Sequence, residues 1–191
     1  MSSYLPIMLD IKNKKILIVG GGAIAFEKLG RICDLDCDIF VVATRFSDDI
    51  LDLMRRKNIN HIKQAYESQY LEGVDVVVAA VDNHELQEKI FLDASARKIL
   101  CNAVDLVDFC HFIFPSVIRR GDLVVTVSTS GVSPATAKHI KSFFEKIIPN
   151  SVSEFLKQMR QKRIQMPKGK ERMKLLDEMA KDFVEKNFYN I

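Results

Sequence analysis

No run in this sequence approaches the roughly 18 consecutive apolar residues that a membrane-spanning helix needs. The opening Met1-Ser2-Ser3-Tyr4-Leu5-Pro6 lacks the basic start and long apolar stretch of a secretory signal. The four cysteines (Cys33, Cys37, Cys101 and Cys110) include no C-x-x-C pair. Cys33 and Cys37 lie four apart without matching ligands, so they are expected to pack as small apolar groups rather than bind metal. His61, His84, His111 and His139 show no ligand spacing; His111 alone stands out, by its nearness to Asp105. A large excess of either charge is also missing, and a net charge of +3 is too small to imply nucleic acid. A Ser-Tyr-x-x-x-Lys set and a hydrolytic triad are both missing. No membrane, no nucleic acid, no metal, and a soluble, reducing, cytoplasmic setting are the resulting expectations.

With 191 residues and 48% hydrophobic content, the chain is expected to form one core domain plus a small appendage. Its organising stretch is Lys15-Ile16-Leu17-Ile18-Val19-Gly20-Gly21-Gly22-Ala23-Ile24-Ala25. An apolar strand runs into a glycine cluster and then a helix, and Gly20, Gly22 and Ala25 fit G-x-G-x-x-A. Gly20 permits the tight turn, Gly22 lets backbone approach a pyrophosphate, and Ala25 lets the helix pack on its strand. The N–H groups and positive end of that helix suit phosphate.

Apolar runs then alternate with helical patterns. Strands are expected at 15–20, 38–43, 60–63, 74–81 and 99–104, with helices at 23–35, 47–57 and 84–97. Ser47 reads as an N-cap, and Gly30 as a site of close helix packing. The near-continuous apolar run at 74–81 suits a strand buried on both faces. This alternation predicts an α/β fold with a Rossmann-type doubly wound parallel sheet. After the second strand stand Ala43, Thr44 and Arg45, with no acid to hold ribose hydroxyls. Thr44 can hydrogen-bond a ribose, and Arg45 could meet a 2′-phosphate, so NAD and NADP are only weakly separated.

Beyond Asp105 the rhythm changes. Phe112-Ile113-Phe114-Pro115 is an apolar segment, read together with the half-alternating strand at 123–128 as one small sheet because no crossover helix separates them, and Ser128-Thr129-Ser130-Gly131 is a polar loop. Ser133-Pro134 opens a helix that ends before Pro149. Ser151-Val152-Ser153-Glu154 reads as a capping box. Two final helices flank Pro167-Lys168-Gly169, and the second is expected to bury Met173, Leu176, Ala180 and Phe183. Three regions are therefore expected: a nucleotide-binding domain over 1–111, a small α+β dimerisation region over 112–149, and a helical C-terminal domain over 150–191. Between residues 157 and 174 the chain carries Lys157, Arg160, Lys162, Arg163, Lys168, Lys170, Arg172 and Lys174. They form either a solvated helix face or a site for an anionic ligand or partner.

Ligands of such sheets bind at the carboxyl ends of the strands. There 20–24, 43–45, 79–82 and 102–105 are expected to converge, with Asp105 just past the fifth strand. Hydride transfer to a nicotinamide requires a neighbouring proton to leave, so Asp105 serves as a base or merely caps a turn.

Several segments together resemble a known family. They are Tyr4-Leu5-Pro6-Ile7, Gly20-Gly21-Gly22, Ala79-Ala80-Val81-Asp82, Asn102-Ala103-Val104-Asp105, Phe112-Ile113-Phe114-Pro115-Ser116, and Ser128-Thr129-Ser130-Gly131-Val132-Ser133-Pro134. In this order they resemble the precorrin-2 dehydrogenase family, also seen as the N-terminal part of siroheme synthases. The resemblance implies NAD-dependent oxidation of precorrin-2, an anionic tetrapyrrole, to sirohydrochlorin, in a homodimer. It leaves Fe2+ insertion to siroheme open as a second activity. By the same resemblance Asp105 is catalytic and Ala23, Ile24, Thr44 and Arg45 contact the cofactor; the motif adds Gly20 and Gly22, and the strand ends add Ala80, Val81, Asn102 and Val104, as further expected cofactor contacts. Ser116, Ser128, Thr129 and Ser130 bind the tetrapyrrole, with Thr129 standing where many members carry serine. The methyltransferase domain fused in some members has no counterpart up to Ile191, so uroporphyrinogen methylation is expected from another protein. Two rivals remain from other classes. One is a non-enzymatic NAD-sensing module, in which Asp105 is dispensable; the other is a basic nucleic-acid adaptor, with steeply salt-dependent binding.

Overall fold

The computed structural model describes residues 4–104 and 106–188; Asp105 lies outside the described residues. The chain divides into two compact units, one through Ile113 and one from Phe114 onward.

In the first unit five strands and three helices alternate: β1 (Lys15–Val19), α1 (Ala23–Ile32), β2 (Asp38–Val42), α2 (Asp48–Lys57), β3 (Asn60–Ile62), β4 (Val76–Ala79), α3 (His84–Ala96) and β5 (Leu100–Ala103). All pairings are parallel, in the order β3-β2-β1-β4-β5. The expected Rossmann-type sheet is therefore present. Val and Ile dominate because both faces are covered. Leu17, Val19, Val77 and Ala79 share a core with Ile90 and Ala94 of α3. Alternate residues Ile16, Ile18, Val41, Val76 and Val78 face the other way and are buried too.

Register matters most for function. Val19 pairs with Val42 and Ala79, Val42 with Ile62, and Ala79 with Ala103. All five strands thus end at one level, and the segments that follow them share a single edge. The chain runs outward from β1 to β3 and then crosses back to β4. The order therefore reverses between β1 and β4, where such sheets open a crevice.

In the second unit β6 (Ser116–Arg120) and β7 (Leu123–Val127) form an antiparallel hairpin. It is followed by α4 (Pro134–Ile147), α5 (Val152–Gln165) and α6 (Lys170–Phe188). Ile118, Ile148 and Val152 form the core, with Phe144, Leu156 and Phe183 packed against them. Phe155 of α5 stacks on Phe183 of α6 at 4.1 Å and 6°. Among the described residues no helix is long and apolar enough to cross a membrane.

Several local expectations need correction. The strand partnering β7 is β6, not Phe112-Ile113-Phe114, which is irregular and precedes Pro115. The expected capping box does not form: Ser151 is already in the right-handed helical region and makes no side-chain cap bond. The Pro149 and Asn150 carbonyls instead accept the N–H groups of Val152 and Ser153. Gly30 is exposed, and a Cβ there would meet nothing within 4 Å, so close packing does not explain it. Met173 is 69% exposed, because Leu176 supplies the buried position of α6. Much of the basic stretch is engaged locally. Arg160 pairs with Asp122, Lys157 with Glu154 and Lys174 with Glu178, while Arg172 donates to the carbonyls of Arg163 and Met166.

Leu17, fully buried in the central strand, is the most direct probe of this core. Leu17→Ala is expected to cost about 2–5 kcal/mol in urea unfolding followed by circular dichroism. A loss below ~1 kcal/mol contradicts the burial described here.

Candidate dinucleotide-binding site

At the reversal between β1 and β4 lies an open cavity of about 750 Å³. Its wall includes Gly20, Gly21, Gly22, Ala23 and Ile24 after β1; Thr44, Arg45, Phe46 and Ser47 after β2; Tyr66 after β3; and Ala80, Val81 and Asp82 after β4.

The three glycines differ in what they do. Gly20 adopts φ +133°, and a Cβ there would lie 2.0 Å from the Ala80 carbonyl oxygen. Its N–H donates to the Val42 carbonyl at 2.9 Å, tying the turn to β2. Gly21 was not singled out from the sequence, yet it is the more crowded of the next two. A Cβ on it would lie 2.1 Å from the Arg45 carbonyl oxygen and 2.9 Å from the Phe46 ring. The Gly21 carbonyl also accepts the Ser47 N–H at 2.8 Å. Gly22 has ordinary extended backbone, and a Cβ on it would touch no protein atom within 4 Å. Space at Gly22 is therefore open toward the cavity and not consumed by the fold, as close approach of a ligand requires.

Gly22 caps α1 without any side-chain cap bond, and the first turn of α1 carries no acid. By contrast, α2 and α3 carry Asp48, Asp49 and Glu85 in their first turns. The positive end of α1 is thus left for an external anion. Ala25, the small third residue of the motif, is fully buried.

The other wall has its own supports. Phe46 meets His61 edge-on at 5.2 Å, holding the segment after β2. The buried Ser47 Oγ lines the cavity and has no hydrogen-bond partner among the described residues. Although Ser47 occupies the N-cap position of α2, its hydroxyl does not make the expected cap bond. Tyr66 donates to Asp93 at 3.1 Å. Burial, reinforced by the Asp93 charge, pushes the Tyr66 phenol well above its ordinary pKa, so it stays a neutral donor. Tyr66 and Phe46 belong to no spaced motif and carry no sequence signal for this wall, while the sequence marks Ser47 only as an N-cap. Thr44 and Arg45 are exposed at the rim, and Asp82 is the one acid among the named wall residues.

Gly20, Gly22, Ala23, Ile24, Thr44, Arg45, Ala80 and Val81 therefore come together around one cavity. Asn102 and Val104 are buried at the end of β5 and are not among its lining residues. Ser116, Ser128, Thr129 and Ser130 belong to the second unit. His111 is used structurally: its Nδ1 accepts the Cys101 N–H at 3.0 Å, and its ring lies 4.8 Å from Phe91. Burial raises the Cys101 thiol to about 12, so it is not a reactive thiolate.

An open glycine turn, an uncompensated helix end and an orphaned hydroxyl around a cavity at the strand reversal define a dinucleotide-binding α/β protein. Residues 7–116 match a family model described as putative NAD(P)-binding, and the chain belongs to that family. It is 36% identical over 151 residues to siroheme synthase 1 of Serratia proteamaculans, covering 79% of this chain and 32% of the relative. It is also 32% identical over 146 residues to the siroheme synthase of Photobacterium profundum, covering 76% and 31%. The chain thus spans about a third of the length of the curated relatives it matches. In fold it is similar to a solved structure described as SirC, precorrin-2 dehydrogenase, with a TM-score of 0.79, 24% identity, and coverage of 92% and 89% of the two chains.

The glycines separate architecture from binding. Gly22→Ala should leave thermal stability nearly unchanged and weaken NADH binding, followed by fluorescence titration, by about tenfold or more, roughly 1.4 kcal/mol. Gly21→Ala should lower stability by about 1–3 kcal/mol through the Arg45 clash. Equal effects of the two on stability reject this division.

Proposed function

We propose that this chain is an NAD-dependent dehydrogenase that oxidises precorrin-2 to sirohydrochlorin. The observation that carries the proposal is the open Gly22 cradle at the end of α1, within a cavity sized for a dinucleotide. The similarity to siroheme synthases, and to the fold of a precorrin-2 dehydrogenase, supports the choice of substrate.

In this proposal the backbone at Gly20, Gly22, Ala23 and Ile24 receives the pyrophosphate. Thr44 and Arg45 meet the adenosine ribose, and Ala80 and Val81 form the opposite wall. When bound, NAD+ supplies a hydride acceptor. Precorrin-2 loses one hydride and one proton, giving sirohydrochlorin, NADH and H+. Asp105, in the segment immediately after β5, takes the proton as general base and releases it to solvent. Ser116, Ser128, Thr129 and Ser130 are the proposed tetrapyrrole contacts. Ser128 Oγ accepts the Ser130 N–H at 3.1 Å, and Thr129 Oγ1 accepts the Ser133 N–H at 3.0 Å. A hydroxyl that accepts in this way still has a proton to donate to a substrate carboxylate. We further propose a cytoplasmic homodimer; exposed Val132, Ile140 and Phe143 on the second unit support the pairing. Fe2+ enters only as a substrate of a second activity, read in the same preparation as siroheme formed from sirohydrochlorin.

The purified chain, given anaerobic precorrin-2 and NAD+, is expected to form NADH. Asp105→Ala should lose at least ~100-fold in rate while retaining NAD+ binding. NADH formation that survives in the variant removes Asp105 from the mechanism. Tight NAD+ binding without turnover in the parent replaces the dehydrogenase reading with that of a sensor.

A further inference from the structure

The segment leaving β5 is held by side chains that line no part of the cavity. Val104 N–H donates to the Ala79 carbonyl at 3.1 Å, fixing the entry. Leu106 N–H reaches back to the Ala103 carbonyl at 3.4 Å, and a short 3-10 turn follows over Val107–Phe109. The chain then returns beside β5, where Cys110 pairs with Asn102 in an isolated antiparallel bridge. Cys110 Sγ sits 3.0 Å from the Ala103 carbonyl oxygen and 3.3 Å from that of Leu106. These two carbonyls flank positions 104 and 105. The thiol has one proton to share between them, and its sulfur accepts from Asn102 Nδ2 at 3.4 Å. Asn102 Nδ2 also donates to the Phe112 carbonyl at 2.9 Å, and Asn102 is 5% exposed.

We propose that Cys110 and Asn102 are positioning residues that fix the backbone at Ala103 and Leu106, the described residues on either side of Asp105 in sequence, and that the proton removal proposed above for Asp105 depends on them. The inference rests on the reaction proposed above. Four features favour it. The clamp closes on both sides of position 105 in sequence. The thiol stays protonated at neutral pH, because burial pushes it above its ordinary value. The returning arm is itself anchored: the His111 N–H donates to the Cys101 carbonyl at 2.8 Å, and the imidazole accepts the Cys101 N–H. Finally, a thiol's long C–S bond and large sulfur let one side chain address two carbonyls at once, and a methyl group cannot do so. Asn102 thereby acts through Cys110 and the turn, not by touching the cofactor.

The test uses the full chain with Cys110→Ala, Cys110→Ser and the parent. In Cys110→Ala, kcat for NADH formation from precorrin-2 should fall ~10- to 100-fold. The NAD+ dissociation constant and KM for NAD+ should stay within about twofold, since both side chains lie outside the cavity lining. Cys110→Ser, which keeps a donor, should recover most of kcat. Amide exchange should quicken at residues 104–110 in the alanine variant and not at residues 20–24. Turnover by the parent with kcat unchanged in Cys110→Ala overturns this inference alone. So does a parallel loss of kcat, NAD+ affinity and melting temperature that serine does not restore, because that is a fold defect. A parent that binds NAD+ but never turns over precorrin-2 removes the proposed reaction, and this inference with it.

Discussion

The approach of two backbones without intervening Cβ atoms is the constraint on which the rest depends. Gly20 lies against the Ala80 carbonyl and Gly21 against the Arg45 carbonyl. Through these two contacts the turn after β1 touches the segments after both β4 and β2. Any side chain at either position would push those segments apart and widen the crevice. The level ends of the strands bring the segments near one another; the missing Cβ atoms let them close to a cavity. What lies at Gly22 is then a consequence. Its two neighbours absorb the crowding, so its own side of the turn stays open.

This division explains how much of the site could be read from residues alone. Strand and helix placement was legible in the first unit because the apolar runs are long and uninterrupted, and parallel strands buried on both faces demand such runs. The G-x-G-x-x-A spacing located the cavity for the same reason, since each position answers to a local need. Gly21 was not legible: its necessity comes from Arg45 and Phe46, about 25 residues away, and no local pattern encodes that approach. Ser47 illustrates the opposite error. A serine before a helical pattern is a sound N-cap signal, and the residue does sit there. Its oxygen is instead turned into a buried position beside the cavity, where no protein donor meets it.

The second unit was harder to read, and the reason is physical. Its strands are only partly buried, and its core rests on a few large side chains such as Ile118, Phe144 and Phe183. Without a strong apolar run, Phe112-Ile113-Phe114 looked more strand-like than Ser116–Arg120. Pro115 decides between them: it has no N–H for a ladder, so pairing starts only after it. The basic stretch shows the same limit of one-dimensional patterns. Its charges read as a run, yet Arg160 and Arg172 are committed to Asp122 and to the end of α5. Part of the run therefore ties α5 to the β6–β7 hairpin and α6 to the end of α5, and a count of charges overstates the field available to an anionic ligand.

Cofactor and proton chemistry place different demands on this fold, and the two sides of the reversal answer them differently. Phosphate binding needs backbone N–H groups and empty space, which glycine and a bare helix end supply with little side-chain chemistry. A general base needs a carboxylate held against its own flexibility, which costs side-chain and backbone entropy. In the reaction proposed for this chain that cost falls to Cys110, Asn102 and His111, which bond the backbone around the end of β5 and belong to no dinucleotide motif. Such residues are invisible to spacing arguments because each acts on backbone carbonyls or N–H groups, and almost any local sequence can present those. The glycine side can thus be recognised across proteins that share only a cofactor. Contacts such as those around the end of β5 have to be built residue by residue, so they differ where the glycine turn does not.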